Sequence, residues 1–521
     1  MRRDCVLPRR KQLIRSMRSI RSLPSARSGF ALLLTLVAAA AGALHGDAAT
    51  AATPGSAASV RTALPRTVGR SFLDARVPLN AIAVVVQEVG APRPLVAHDA
   101  ARPMNPASVM KLYTTLAALE LLGRDYRWTT DAWLNGPLVE GTLQGDLVLK
   151  GRGDPKVTIE QWQSFMAELR AKGLVTVGGD LVLDRSQFAL PRHDAAAFDG
   201  EALRPYNVGP DAMLVNFKSV RFVFAPGGAG DATILRAEPP LPEITVGAPP
   251  PPAAGPCNDW RAAIGATFAD RGDAASASFA GRFPVACGER DWNVALLDHP
   301  HYVRGMFATY FGEAGGRFTG GVRDGRAPAD AAPFATMASA PLYDIVRDIN
   351  KLSNNVMARQ VFLTLATTAA PPPATPEGAA EVMRRWLDSR RIDRRGFVVE
   401  NGSGLSRNER SSAAGLAQLL AAADASAVRE EFASSLAVAA VDGTLSRRFT
   451  DRPVAGQALL KTGSLEGVRA LAGYVIDAEN RRWIVVAIIN HANAVRGQPA
   501  LDALVQWVYR DAAAWSRASA R

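Results

Sequence analysis

The middle of this chain differs from both flanking segments in its pattern of apolar and turn-forming residues, and that contrast limits the possible folds. From about residue 131 to 335, strand-like segments at 143–149, 175–183 and 220–224 alternate with turns rich in Gly, Pro and Asp. Residues 239–256 include four consecutive prolines and are therefore expected to be extended or loop. The pattern predicts a mainly β region inserted into the chain.

The flanking segments alternate between strand and helix patterns. An apolar, β-branched stretch at 80–89 predicts a strand, and the leucines at 112, 116, 119 and 122 predict one face of a helix that Ser108 opens and Gly123 ends. The 521 residues suggest roughly three domains. The remaining predictions are helices at 342–365, 378–389, 413–423, 426–437 and 500–515, and strands at 470–477 and 483–490.

The N-terminus carries most of the net charge of +11. Residues 1–47 contain nine basic groups and two acidic ones, a net charge of +7, and the apolar run 30–44 follows the basic part. This order is typical of a secretory signal peptide, so we expect residues 1–51 to contain the signal and its cleavage region. The run of about 15 residues is shorter than a membrane span, although an uncleaved anchor remains an alternative. Translation from Met17 would give a signal of ordinary length.

The charge therefore gives little support to nucleic-acid binding, because only +4 remains for the other residues. The last predicted helix has one apolar face, which could contact a membrane surface peripherally or could pack on a sheet. After loss of Cys5 the cysteines are Cys257 and Cys287, which are either a disulfide, as suits an oxidising compartment, or two free thiols. The histidines and cysteines show no zinc-site spacing, and neither a metal nor a cofactor is expected.

Lysine is rare in this chain, with eight among 60 basic residues, and two of the eight occur in suggestive motifs. In Ser108-Val109-Met110-Lys111, helical spacing brings the amine within reach of the hydroxyl, as a nucleophile with its own base requires. Taken alone, the motif is more typical of an N-cap serine beside a solvated lysine.

Two further motifs are equally ambiguous by themselves. Ser353-Asn354-Asn355, within the predicted helix 342–365, offers a second hydroxyl and a side-chain amide, or is a polar helix turn. The run from Lys461 through Thr462 and Gly463 to Ser464 offers a cation, two hydroxyls and close backbone approach beside a sheet edge, or is a strand-end turn.

In this order, Ser-x-x-Lys, Ser-x-Asn and Lys-Thr-Gly are the signature set of penicillin-binding proteins and serine β-lactamases. The 245 residues between Ser108 and Ser353 make the chain resemble the class C low-molecular-mass penicillin-binding proteins, D-alanyl-D-alanine carboxypeptidase/endopeptidases of the penicillin-binding protein 4 type. The segments 103–108, 151–155, 401–407 and 441–445 also look like this family, although Asn401 stands where the family usually has Asp.

The resemblance implies an α/β (α+β) transpeptidase-like domain, an antiparallel sheet with helices on both faces, formed by residues 64–130 and 336–521. It implies that 131–335 are two inserted mainly β domains. It also implies a periplasmic serine DD-peptidase acting on peptidoglycan stem peptides and acylated by β-lactam antibiotics. A serine β-lactamase and a non-catalytic peptidoglycan-binding protein are the alternatives. The catalytic residues implied are Ser108, Lys111, Ser353, Asn355 and Lys461, and the substrate-binding residues are Thr462, Gly463, Ser464 and Arg407, the last equally suited to a surface salt bridge.

Overall fold

A computed structural model describes residues 60–228 and 231–519, so the predicted signal peptide lies outside the described residues. A six-stranded antiparallel sheet joins the two ends of this part of the chain. Its third strand is the last in sequence and pairs with the first, with Val85 opposite Val486. From edge to edge the strands are Val96–His98, Ile82–Glu88, Arg482–Asn490, Val468–Ile476, Ala458–Leu465 and Ala437–Val438.

Both faces of this sheet are covered by helices, because its strands are apolar on both sides. Alternate residues of the central strands point into separate cores, with Ile484 and Val486 on one face and Val485 and Ala487 on the other. The first and last helices pack on the second face, where Leu501, Leu504, Val505 and Val508 are buried. The helices of this part are Arg66–Asp74, Lys111–Leu121, Leu342–Leu352, Asn355–Ala366, Pro376–Ser389, Ala413–Asp424, Arg429–Ser435 and Gln498–Ser519.

Between the second and third of these helices, Lys111–Leu121 and Leu342–Leu352, lies a region with its own hydrophobic core. A five-stranded and a four-stranded sheet pack there with two helices, Ile159–Ala171 and His299–Glu313. The larger sheet consists of Val322–Asp324, Leu181–Asp184, Asp146–Gly151, Thr129–Asn135 and Ala335–Ala338, and the smaller of Arg317–Phe318, Thr176–Val177, Thr142–Leu143 and Leu138–Val139.

A smaller β unit is inserted in turn within this region. It has three small sheets and a short helix, and Phe224, Trp260 and Phe283 pack together at its centre. A disulfide joins Cys257 to Cys287, which confirms the bridge and rejects the two free thiols. Its elements are Val220–Pro226, Thr233–Glu238, Ile244–Val246, Pro252–Ala253, Trp260–Ile264, Ala266–Asp270, Ala275–Phe279, Phe283–Pro284 and Arg290–Val294.

The structure corrects three predicted elements. The helix predicted at 342–365 is two helices, because Ser353 adopts a left-handed conformation with φ of 59°. The strand predictions at 143–149 and 175–183 are each divided at glycines, where the chain turns from the small sheet to the large one. Within residues 60–228 and 231–519, no helix has the length and apolarity needed to cross a membrane.

Candidate active site

Ser108 lies in a 3₁₀ turn, Ala107–Met110, that leads directly into the helix Lys111–Leu121. The prediction that Ser108 opens the α-helix was therefore wrong by one turn. Ala107 has a positive φ of 47°, and its N–H donates to the Asn105 Oδ1 atom at 2.8 Å. The Asn105 amide in turn donates to the Ser406 carbonyl at 2.9 Å. Asn105 thus holds the strained entry to the turn and fixes the direction in which Ser108 points.

Lys111 is completely buried, and its Nζ atom has three polar neighbours. It lies 2.9 Å from Ser108 Oγ, 2.6 Å from Asn355 Oδ1 and 2.5 Å from the Ser403 carbonyl oxygen. Asn355 Oδ1 and the carbonyl can only accept, so they take two N–H bonds of the amine. A neutral amine then has its lone pair left for the Ser108 hydroxyl, which is the arrangement a general base requires.

The surroundings of Lys111 favour this neutral form. Burial lowers the pKa of Lys111 well below its ordinary range, and the nearby Lys461 and Arg359 cations lower it further. The Glu409 carboxylate acts in the opposite direction and raises that pKa. The burial and the excess of neighbouring cations together outweigh this one anion.

The Ser-x-Asn motif occupies the break between two helices. Ser353 ends the first helix in its left-handed conformation, and Asn354 caps the second by accepting the Met357 N–H at 3.0 Å. Asn355 is the first residue of the second helix and directs its side chain to Lys111. Because the chain turns at Ser353, the motif presents its hydroxyl and its amide to the same centre.

Lys461 contacts the Ser353 hydroxyl, the other functional group of this motif. Its Nζ atom donates to Ser353 Oγ at 2.8 Å and to the Thr462 carbonyl at 3.0 Å. Burial lowers the pKa of Lys461 to about 7. Its strand, Ala458–Leu465, continues past the end of the short edge strand, which pairs only with Leu459 and Leu460. The Lys-Thr-Gly motif therefore lies beside a sheet edge, as the sequence predicted, and the structure shows that it also lies close to Ser108.

Two glycines allow this edge and a second loop to approach Ser108 closely. A side chain at Gly463 would lie 2.6 Å from the Pro106 carbonyl oxygen and 3.2 Å from the Ser108 nitrogen. A side chain at Gly404, where φ is +79°, would lie 2.0 Å from the Ala107 carbonyl oxygen. Both positions exclude any larger residue, because the backbone itself is in the way.

The remaining predicted residues lie further out. Thr462 donates to Thr444 at 2.9 Å, and Ser464 is exposed. Arg407 contacts the Glu466 carboxylate at 3.3 Å and stacks on Phe198 with its guanidinium 4.7 Å from the ring centre. It borders a cleft of about 1540 Å³ between the catalytic helices and the inserted region. The structure therefore joins Ser108, Lys111 and Asn355 in one hydrogen-bonded group and Ser353 and Lys461 in a second one beside it, and it leaves Arg407 outside both.

Sequence reasoning missed several residues of this centre, among them Asn105, Ser403, Thr444 and Glu409. Ser403 contributes only its backbone carbonyl, and no residue type indicates such a contact. The others belong to stretches that resemble the family or adjoin one, but nothing in their spacing predicted a specific contact with Lys111 or Thr462.

The sequence model of the D-Ala-D-Ala carboxypeptidase 3 (S13) family matches residues 65–510. The chain belongs to that family. The D-alanyl-D-alanine carboxypeptidase of Actinomadura sp. strain R39 is 30% identical over 429 residues, which cover 79% of this chain and 78% of that protein. The D-alanyl-D-alanine carboxypeptidase DacB of Haemophilus influenzae is 25% identical over 402 residues, covering 74% of this chain and 80% of that protein.

Membership of the S13 family confirms the predicted family and the enzyme class, a serine carboxypeptidase hydrolase. The crystal structure of penicillin binding protein 4 (dacB) from Haemophilus influenzae has a TM-score of 0.69 and 22% sequence identity, and covers 85% of this chain and all of that one. A second structure of that protein, complexed with a β-lactam, has a TM-score of 0.66. These matches confirm the predicted fold class.

Proposed function

We propose that this S13 family member is a periplasmic serine DD-peptidase that works through an acyl-enzyme on Ser108. It cleaves the terminal D-Ala-D-Ala bond of peptidoglycan stem peptides, D-Ala–meso-diaminopimelate cross-links, or both, and it is acylated by penicillin. The observation that carries the proposal is the Lys111 amine, which has acceptors for two N–H bonds and lies 2.9 Å from the Ser108 hydroxyl. The catalytic unit comprises residues 64–130 and 336–521, and residues 131–335 are inserted in it.

In the first step, Ser108 Oγ attacks the D-Ala carbonyl carbon and its proton passes to Lys111. The backbone N–H groups of Ser108 and Ser464 form the oxyanion hole, which the close approach of Gly463 to Ser108 supports. Ser353 then passes its proton to the leaving amine and is reprotonated by the proton that Lys111 took, so that Lys111 is neutral again. The Ser353 hydroxyl already accepts a hydrogen bond from Lys461, so its own proton is directed elsewhere, toward the substrate. Water hydrolyses the ester afterwards.

Substrate recognition in this scheme uses the groups around that centre. Asn355 orients the acyl amide with its Nδ2 atom, whose present contact with the Tyr206 carbonyl is long at 3.5 Å and therefore easily exchanged. Lys461 supplies positive potential, and Thr462 and Ser464 hold the terminal carboxylate. Arg407, at the border of the cleft, contacts the stem peptide.

Labelled penicillin tests the mechanism directly. We expect the purified protein to form a stable covalent adduct, Ser108→Ala to form none, and Ser71→Ala, in the first helix, to react like the unaltered protein. No adduct, or an adduct that survives Ser108→Ala, would contradict the mechanism, and rapid turnover of penicillin would indicate a β-lactamase. Release of D-Ala from a pentapeptide, compared with cleavage of a cross-linked dimer, distinguishes carboxypeptidase from endopeptidase.

A further inference from the structure

Glu409 is a buried carboxylate close to the proposed catalytic centre, and the scheme above gives it no role. Its side chain is fully buried, and its Oε1 atom accepts the N–H groups of Glu400, Asn401 and Gly402 at 3.1, 3.0 and 3.0 Å. Its Oε2 atom is buried without a hydrogen-bond partner among the described residues. Burial raises the pKa of Glu409, whereas the three backbone N–H groups and the nearby Lys111 act in the opposite direction and favour the anion.

The three N–H bonds fix a loop that contacts the base. Gly402 also accepts a hydrogen bond from Thr114 Oγ1 at 2.7 Å, which clamps the loop to the helix that carries Lys111. The next residue, Ser403, provides the carbonyl that accepts from Lys111, and Gly404 packs against the Ala107 carbonyl. Glu409 therefore determines where one of the acceptors for the Lys111 amine stands.

The charges around Lys111 give Glu409 a second task. The charged groups that act on Lys111 are Lys461, Arg359 and Glu409, so the carboxylate is the single anion among them. Arg359 makes no ion pair within the described part of the chain and donates to the Val208 carbonyl at 2.9 Å. When Lys111 accepts a proton, a further cation forms in this buried space, where an unbalanced charge is costly.

We propose that Glu409 is a positioning residue, which holds the Ser403 carbonyl against Lys111 and balances the ammonium that forms there when Ser108 attacks. This inference rests on the proposed function. In the step concerned the Ser108 O–H bond breaks and an N–H bond forms on Lys111, and Glu409 neither gives nor takes a proton. Its contribution is the fixed negative charge and the loop geometry.

Glu409→Gln separates charge from geometry, because Gln keeps one oxygen for the three N–H groups and loses the anion. We expect the maximal rate of penicillin acylation to fall about tenfold, and the acidic limb of the pH–rate profile to move down by about one pH unit. The shift is downward because the anion raises the pKa of Lys111 and its removal lowers that pKa. A merely structural role would not move the limb.

Glu400→Gln is the matched control. This carboxylate belongs to the same loop and accepts from Ser406 and Asn408, but it is exposed and water screens its charge. We expect the acidic limb of the Glu400→Gln profile to coincide with that of the unaltered protein. Glu409→Asp keeps the anion on a shorter side chain, so we expect a slower reaction with an unmoved limb.

An acidic limb for Glu409→Gln that coincides with the unaltered profile would overturn the inference. So would equal shifts for Glu409→Gln and Glu409→Asp. If Glu409→Gln does not fold, the Asp variant alone decides, and a limb that moves down despite the retained anion overturns the inference. Failure of the proposed function is distinct, because the unaltered protein itself would then form no adduct on Ser108.

Discussion

At the residue scale, the two buried lysines of the candidate site differ in the groups that surround their amines. Lys111 has acceptors for two N–H bonds and two cations nearby, so it is held neutral. Lys461 contacts a hydroxyl and a carbonyl, and burial lowers its pKa to about 7. Both amines are therefore easier to deprotonate than an exposed lysine, but only Lys111 lies against the Ser108 hydroxyl.

Lys461→Met should remove activity and increase stability at the same time. The folded protein binds fewer protons than the unfolded chain between pH 7 and 10.5, because the pKa of Lys461 is lowered from 10.5 to about 7. Burying this lysine thus costs stability at and below pH 7, and the cost disappears as pH rises toward 10.5. We expect Met to stabilise the fold by about 3 kcal/mol at pH 6 and less at pH 9.

The same variant should acylate at least about 100-fold more slowly, because the positive potential and the contact with Ser353 are lost. Denaturant unfolding at pH 6 and pH 9, together with labelled penicillin, measures both effects. A variant that is less stable than the unaltered protein at pH 6 would contradict the burial argument. Lys172→Met, which replaces a partly exposed lysine of the inserted region, is the control and should change neither property.

Individual residues were predictable where side-chain chemistry marks them. The scarcity of lysine drew attention to Lys111 and Lys461, and the three motifs together predicted side chains that lie around these two amines. Ser403 was not predictable, because a backbone carbonyl has no residue type. Glu409 was not predictable either, since its partners are backbone N–H groups and its effect on Lys111 acts through space.

At the element scale, the break between the helices Leu342–Leu352 and Asn355–Ala366 shapes the centre. An uninterrupted helix would place Ser353 and Asn355 about 200° apart around its axis, on different faces. The left-handed Ser353 and the Asn354 cap turn both side chains toward Lys111 and Lys461. Apolar periodicity continues across the break, which is why the sequence predicted one helix there.

Asn354→Ala should affect stability and catalysis together. The substitution removes the acceptor for the Met357 N–H, and a lost N-cap costs about 1 kcal/mol. Because this cap also sets the turn at Ser353, we expect penicillin acylation to slow about tenfold. Thermal unfolding and the acylation rate measure the two consequences.

Thr158→Ala is the matched control, because Thr158 caps the helix Ile159–Ala171 of the inserted region through a capping box. We expect the same loss of about 1 kcal/mol with an unchanged acylation rate. Equal rates for the two variants would show that the Asn354 cap has no part in arranging the centre.

Other elements followed directly from local pattern. The strands Val468–Ile476 and Arg482–Asn490 begin and end within two residues of their predicted bounds, since both are long, apolar and rich in β-branched residues. The strands of the inserted region are only two to seven residues long, and several of them pair with strands that are distant in sequence, as Ala335–Ala338 does with Thr129–Asn135. Their alternation predicted the type of element, but long-range pairing decided where each one is divided.

At the scale of the whole molecule, the disulfide belongs to the innermost of the inserted units. Cys257 and Cys287 close a loop beside the aromatic cluster, and the hydrogen-bond partners of Lys111 and Lys461 all come from other parts of the described chain. The bridge therefore stabilises the inserted unit without touching the centre.

Replacing both cysteines with alanine should lower the unfolding free energy of this unit by about 3 kcal/mol. Penicillin acylation at 25 °C should stay within twofold of the unaltered rate. Limited proteolysis of residues 220–294 and the acylation assay check the two expectations, and alkylation with and without reductant should label these cysteines only after reduction. A parallel loss of acylation would mean that the inner unit supports the catalytic one.

The pairing of the first strand with the last has a consequence for the newly made chain. Val85 can pair with Val486 only after Val486 has been synthesised. That happens about 400 residues later, or roughly 20 to 80 seconds at ordinary rates of translation. Ser108 likewise meets Lys461 only near the end of synthesis. A chain that lacks the final strands would carry Ser108 without Lys461, so the proposed centre is complete only in a chain that has been synthesised almost to its end.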